Sequence, residues 1–304
     1  MMPNAAYGQN TVPVGGNDPY NPTSNQFMGN TGRPMPQQGA IPQFGGMQYV
    51  FTVNPLADLN SMSSVLIRQQ PEYLEAITGC ETPNRYHVFG LTQLGYTYLF
   101  KCSEISGWFM RNCCPSSARS FDMEIKHIAS LGQFNANFSK NFATANRPFT
   151  CTFFCLNRPE MTITLVDNGQ SVGKIRNPFT FFDPEFEIYN QNGQLRYFVS
   201  ASCCQCGLLC ANNFFGKMSE VIFPIYNGKG GGQVGSIVKK GAQFQELITD
   251  ADSYNVNFPS DATPEEKLLL ICLGLFIDYI YFEVSPSDDD RKNYRRRYNR
   301  GYYY

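Results

Sequence analysis

Fifteen residues near the C-terminus, 268–282, read Leu-Leu-Leu-Ile-Cys-Leu-Gly-Leu-Phe-Ile-Asp-Tyr-Ile-Tyr-Phe and are apolar on every helical face apart from Asp278. A helix with no polar side must be enclosed, either by lipid or by the rest of the chain. The run falls short of the ~17–25 residues that cross a bilayer, and Asp278 would sit in or near hydrocarbon. Beyond it come Arg291, Lys292, Arg295, Arg296, Arg297 and Arg300. A span with a cytosolic head would send these residues outside, against the usual retention of Lys and Arg in the cytosol. Burial inside the protein is therefore expected. Thr263-Pro264-Glu265-Glu266 supplies the helix start, with Pro in the first turn and acids at the positive end of the dipole.

The segment upstream reads as the enclosure. Phe (25) and Tyr (18) are abundant and favour strands, while Gly (26) and Pro (19) favour many turns. Strands are predicted at 86–89, 96–100, 121–128, 150–154, 161–166, 171–175, 186–189, 195–200, 214–223 and 233–238. Asn168-Gly169 and Asn192-Gly193 are the dipeptides that tight hairpin turns require. Val172-Gly173-Lys174-Ile175 is echoed by Val234-Gly235-Ser236-Ile237, a weak hint of duplication. Many short strands at this spacing point to a closed barrel or a sandwich. One helix is expected ahead of them, over 61–74 with Ser61 as N-cap.

Residues 1–55 are rich in Asn, Gln, Gly, Pro and Met with almost no charge. They cannot bury enough apolar surface to offset the entropy of ordering, so a disordered tail is expected. Pro34-Met35-Pro36 and similar stretches would suit adaptor proteins that bind extended Pro-rich segments; a plain solvated tail is the alternative. The folded domain is expected over 56–285, followed by an acidic, then basic and Tyr-rich, tail over 286–304. The first ten residues lack the basic start and apolar run of a secretory signal. Without secretion, eleven cysteines are not expected to form a disulfide framework.

The order of motifs resembles the phospholipid scramblase family. The residues concerned are Val65-Leu66-Ile67-Arg68-Gln69-Gln70, Glu75-Ala76-Ile77-Thr78-Gly79-Cys80-Glu81-Thr82, Asn84-Arg85-Tyr86, Arg111-Asn112-Cys113-Cys114, Arg119-Ser120-Phe121 and Arg147-Pro148-Phe149. Thr249-Asp250-Ala251-Asp252 and Phe276-Ile277-Asp278-Tyr279-Ile280-Tyr281-Phe282-Glu283 complete the series. The resemblance implies a mainly β Tubby-like fold, a closed antiparallel barrel around the C-terminal hydrophobic helix. It also implies ATP-independent, Ca²⁺-triggered movement of phospholipids between plasma-membrane leaflets, from the cytoplasmic face. Cytosolic or endomembrane residence is the alternative.

Residues 250–261 match the family's proposed calcium segment, with Asp250, Asp252, Tyr254, Val256, Phe258 and Asp261 at its ligand positions. Ca²⁺ needs several oxygens, and the three aspartates occupy loop positions one, three and twelve. Position five is Tyr254, position six is Asn255 where a Gly is usual, and position twelve lacks the longer Glu. Tyr254, Val256 and Phe258 also alternate with polar residues, which reads as a half-buried strand. A strand cannot wrap a cation as a loop does, so weak Ca²⁺ binding and a core strand both stand.

Family members carry a longer Cys-rich run that is S-palmitoylated; here the corresponding stretch holds only Cys151 and Cys155. Cys203, Cys204, Cys206 and Cys210 could serve zinc, although adjacent thiols do not easily reach one tetrahedral ion, and buried small hydrophobes are the simpler reading. Arg295, Arg296 and Arg297 are placed to meet anionic headgroups of a phospholipid surface, with a solvated tail as the alternative. Where the family carries a nuclear-import segment, 235–241, only Lys239 and Lys240 are basic. Catalysis has little support: the only histidines, His87 and His127, lie in predicted strands, and no nucleophile motif is present. The net charge of −1 gives no global pull toward nucleic acid, which is not an expected partner. Two functions follow, a lipid transporter and a membrane-tethered lipid-binding or signalling adaptor without transport.

Overall fold

The computed structural model of the chain describes residues 54–70, 82–92, 95–114, 118–128, 139–151, 156–209, 219–241 and 252–282. Asn54 caps a short helix, α1 (Pro55–Ser61), and Pro55 occupies its first turn. Twelve strands follow: β1 (Ser64–Gln69), β2 (Arg85–Thr92), β3 (Gly95–Ile105), β4 (Phe121–Ile128), β5 (Ser139–Arg147), β6 (Glu160–Leu165), β7 (Ser171–Arg176), β8 (Glu185–Asn190), β9 (Leu195–Ser200), β10 (Val221–Tyr226), β11 (Gln233–Lys239) and β12 (Ser253–Asn257). Each pairs antiparallel with its neighbours in sequence, and β12 pairs with β1 to close the barrel. Short helices α2 (Trp108–Cys113) and α3 (Cys206–Leu209) sit in connections. The last helix, α4 (Pro264–Ile277), continues into a π-helical turn, Asp278–Phe282.

Strand direction gives the barrel two different ends. At one, called here the turn end, β1 begins and α4 starts. At the other, the loop end, lie the connections 70–84, 106–120, 148–159, 177–184, 201–220 and 240–252. The hairpins β2–β3, β4–β5, β6–β7, β8–β9 and β10–β11, all with their turns at the turn end, each carry a register shift. Such bulges bend a strand and raise its twist, which helps a sheet close on itself.

The inner face is a ring of alternating apolar residues, among them Val65, Ile67, Met123, Ile125, Ile163, Ile175, Val199, Phe223 and Val256, all essentially inaccessible. α4 occupies the axis, with residues Glu266 to Ile277 all buried. The expected burial of the apolar run is thus observed. Among the described residues no helix is long and apolar enough to cross a membrane. Thr263 and Glu266 form a reciprocal capping box at its start. Lys267 Nζ then donates to the carbonyls of Leu59, Asn60 and Met62, at 3.0, 2.9 and 2.8 Å, and so satisfies the C-terminus of α1.

Several expectations need correction. The helix predicted over 61–74 is misplaced: Ser61 ends α1, and the next residues form β1. Val65 and Ile67 are β-branched, alternate into the core and pair on both sides, which overrides their fit to a helical period. Of the strand predicted over 150–154, Thr150 and Cys151 are irregular and residues 152–154 lie outside the described residues; β5 ends just before them. β5 was missed because Ser-Lys-Asn-Phe-Ala-Thr-Ala-Asn-Arg looks like a loop, yet Ala143, Ala145 and Arg147 all face inward. Of the strand predicted over 214–223, only 221–223 belongs to β10; residues 214–218 lie outside the described residues. The two tails, 1–53 and 283–304, also lie outside them. The four-residue echo falls on β7 and β11, which do not pair.

Gly173 offers a test of how tightly the barrel is drawn onto its helix. Its φ is +156°, and a Cβ there would stand 2.3 Å from the Tyr189 carbonyl oxygen and 2.9 Å from Leu269 of α4. Gly193, in a hairpin turn with φ +72°, has open space around it. Gly173→Ala should lower the unfolding free energy by more than about 2 kcal/mol in urea titration, and Gly193→Ala by only about 1 kcal/mol. Equal losses would mean that the β7–β8–α4 contact is not rigid.

Candidate functional site

The polar interior is concentrated where the helix finishes, at the loop end. Asp278 is 2% exposed and accepts hydrogen bonds from Tyr86 Oη (2.6 Å) and Tyr254 Oη (2.5 Å). Burial, followed by the nearby Asp252 charge, lifts its carboxyl from the ordinary 3.8 to about 7, against the opposing pull of the two tyrosines and Lys239. Burial also pushes the Tyr254 hydroxyl well above its usual range. The next residue, Tyr279, stacks on Phe121 at 4.2 Å and donates to Glu104 Oε2 at 2.8 Å. Glu104 also accepts from the Asn84 backbone N–H and the Ser106 hydroxyl.

Fully buried arginines complete this shell. The Arg147 guanidinium lies over Phe121 and Phe276, 5.5 and 5.3 Å from their centroids. Arg119 Nη2 donates to the Arg111 carbonyl at 2.9 Å. Residues of the motifs Asn84-Arg85-Tyr86, Arg119-Ser120-Phe121, Arg147-Pro148-Phe149 and Asp278-Tyr279 therefore meet in one place, around the last turn of the axial helix. Glu104 and the burial of both arginines had no signal in spacing or composition. The motif order marked the arginines without showing that they are internal.

The proposed calcium residues are dispersed by the same geometry. Asp250 lies outside the described residues. Asp252 pairs with Lys239 at 2.6 Å at the loop end, where the Lys239 ammonium also stands 4.6 Å from the Phe282 ring centroid. Tyr254 and Val256 are inaccessible on the inner face of β12, and Phe258 is 8% exposed. Asp261 lies beyond β12, toward the turn end, held by Arg196 at 2.6 Å, which keeps its carboxyl below the usual range. A five-residue strand of about 16 Å separates the two described aspartates. The half-buried strand expected from the alternation is present; its register places Tyr254 opposite Ile67 of β1.

Cys102 and Cys272 are core residues, whereas Cys113, Cys151, Cys204 and Cys206 are exposed and Cys114 and Cys203 half-exposed in loop-end connections. Cys155 and Cys210 lie outside the described residues. Cys203 Sγ and Cys204 Sγ stand 4.0 Å apart, and among the described residues no three His, Cys, Asp or Glu side chains converge as a metal site. Arg295, Arg296 and Arg297 are likewise outside the described part.

On the outer wall at this end is a cleft of about 610 Å³, lined by Phe149, Cys151, Arg158, Glu160, Lys174 and Arg176, among others. A second depression of about 470 Å³ shares Lys174 and Arg176 and reaches Tyr189. Arg158 is positioned by Asn177, to whose side-chain and main-chain oxygens it donates at 2.6 and 3.1 Å. Lys174 pairs with Glu160 at 3.3 Å. Three cations against one carboxylate make the cleft suited to an anionic ligand such as a phosphate group.

A family model described as Scramblase matches residues 47–284. Phospholipid scramblase 1 of Rattus norvegicus is 27% identical over 235 residues, 77% of this chain and 64% of its own length. Phospholipid scramblase 1 of Mus musculus is also 27% identical, over 77% of this chain and 65% of its own. Phospholipid scramblase 2 of Bos taurus is 28% identical over 76% of this chain and 72% of its own. The chain thus spans just under two thirds of the length of the rat and mouse proteins. No solved structure gives a significant match.

The buried carboxyl generates a pH prediction with a definite sign. From about pH 4 to about pH 7 the native chain holds the Asp278 proton and the unfolded chain does not. The Asp278 contribution therefore falls as pH rises through that window and is flat above it. Asp278→Asn should flatten the stability profile across it, with a difference from wild type approaching about 4 kcal/mol. Parallel wild-type and variant profiles from chemical denaturation would place the Asp278 pKa elsewhere.

Proposed function

The chain belongs to the scramblase family, and from that premise we propose that it moves phospholipids between membrane leaflets, without ATP and under the control of Ca²⁺, from the cytoplasmic face of the plasma membrane. The observation that carries the phospholipid reading is the family match across the whole barrel, Ser64 to Phe282. The barrel axis is occupied by α4, so lipid handling is assigned to the outer wall and the loop end. Calcium is assigned to the segment beginning at Asp250. Binding through Asp252 must compete with Lys239, and binding through Asp261 with Arg196, so weak affinity is expected. Cys151, exposed beside the cationic cleft, is the accessible candidate for acylation, with Cys155 next in line. The Pro-rich residues ahead of the domain are assigned to adaptor partners.

A filled axis also favours a second reading, a membrane-tethered lipid-binding adaptor that transports nothing. Purified protein in liposomes bearing a dithionite-quenchable lipid separates the two. Transport predicts that Ca²⁺ abolishes most of the protected inner-leaflet signal, and that Asp250→Ala and Asp252→Ala each raise the Ca²⁺ required. Full protection at every Ca²⁺ concentration leaves the adaptor reading; unchanged Ca²⁺ dependence in both variants removes the ion from these residues.

A further inference from the structure

Among the described residues, every large apolar side chain exposed by half or more lies at the loop end. Trp108 (60%) and Phe109 (63%) stand on connection 106–120, Phe149 (52%) on 148–159, Phe181 (83%) and Phe182 (82%) on 177–184, and Leu209 (67%) on 201–220. Among the described residues the turn end instead presents the Asn-Gly and Gly-rich tips of the β6–β7, β8–β9 and β10–β11 hairpins, with Leu91 (42%) and Val166 (44%) less exposed. Single exposed apolar residues are ordinary, but their segregation to one end on four separate loops is not.

The most exposed pair sits on a built projection. Asn177, 2% exposed, donates to the Glu185 carbonyl at 2.9 Å and closes the base of 177–184. Asp183 accepts from the Cys203 N–H at 2.8 Å, tying this loop to its neighbour, and Phe179 meets Phe181 edge to face at 5.0 Å. The backbone is thus held while two adjacent phenyl rings point into water.

The geometry points to the loop end as the face that docks on an anionic phospholipid bilayer, with Phe181 and Phe182 entering the headgroup–acyl boundary. The inference rests on the phospholipid reading above for the class of partner, and goes beyond it in naming the surface. Charge complementarity selects a bilayer: the cleft lined by Arg158, Lys174 and Arg176 adjoins Phe149, where headgroup phosphates would lie once the rings are inserted. Separate aromatic tips beside cations fit a deformable interface that takes in each tip, whereas a folded partner would call for one continuous face.

The chain's only tryptophan, Trp108, is a native reporter on this face. Full-length protein is titrated with vesicles of phosphatidylcholine alone or mixed with phosphatidylserine. Expected are a blue shift of Trp108 emission, quenching by brominated acyl chains, and tighter binding with phosphatidylserine. Phe181→Ser with Phe182→Ser should weaken vesicle partitioning at least about tenfold without changing thermal stability, since both rings are exposed. Val166→Ser, at the turn end, should leave partitioning unchanged, and Arg176→Glu should remove the phosphatidylserine preference. Vesicle binding without a Trp108 response, wild-type partitioning of the double variant, or absence of binding would each overturn the inference. So would a double variant that loses self-association in sedimentation and keeps vesicle binding, because the occupant would then be a second copy. Docking without lipid transport would count against the transport reading alone.

Discussion

A twelve-stranded barrel is too wide for its own inward side chains to fill, and the burial of α4 along its axis makes up the difference. Eight large apolar side chains of the helix, Leu268, Leu269, Leu270, Ile271, Leu273, Leu275, Phe276 and Ile277, are shut away from water. At about 1.5–3 kcal/mol each, their gross contribution is on the order of 10–20 kcal/mol, as large as the whole net stability of an ordinary domain. Emptying the barrel would therefore expose all eight to water. Any lipid path along the axis would require expelling the element that holds the strands together. On the phospholipid reading proposed above, lipid contact would therefore fall on the exterior.

The same burial explains the polar groups inside. A helix enclosed on all sides still has ends, and a buried polar cluster stands at each. At the turn end Glu266 completes the capping box and accepts from Arg196 and Tyr197, and Lys267 holds the carbonyls of α1. At the loop end Asp278 is held by two tyrosines, and Tyr279 reaches Glu104. Asp278 is thus not a remnant of a membrane-facing helix; it fixes the depth at which the helix stops. With a carboxyl lifted to about 7 by burial, that stop is partly neutral near physiological pH. A neutral acid both donates and accepts, so the two tyrosine hydroxyls remain compatible with it.

Much of the fold was legible because it depended on local chemistry. Gly169 and Gly193 adopt the positive φ that the Asn-Gly pairs foretold. β4 and β9 appear with the predicted limits because their alternation is unbroken, and Thr263-Pro264-Glu265-Glu266 marks the start of α4. What failed depended on partners distant in sequence. β5 turns Ala143, Ala145 and Arg147 inward, and nothing local marks them as buried. β1 takes its conformation from β2 and β12. The candidate site was harder still: the motif order drew attention to Arg119, Arg147 and Asp278, but only the closed barrel shows that they share one interior. The calcium segment illustrates a conflict of periods, since the alternation that suits β12 buries Tyr254 and Val256 and sets Asp252 and Asp261 on separate basic partners.

The asymmetry of the ends follows from the topology. In an antiparallel meander, one set of connections can shrink to tight hairpins while the other set is left to carry everything else. Here, among the described residues, the tight hairpins gather at the turn end, where the bulges and Asn-Gly turns draw the strands together. The long set carries α2, α3, the exposed cysteines, the cationic cleft and the projecting phenylalanines. The axial helix finishes at this end, where Asp278 and Tyr279 bind β2, β12 and β3, the strands from which these loops depart or to which they return. A surface built in this way can present apolar groups to a partner without loosening the barrel. The helix whose apolar run called for enclosure thus ends directly beneath that surface.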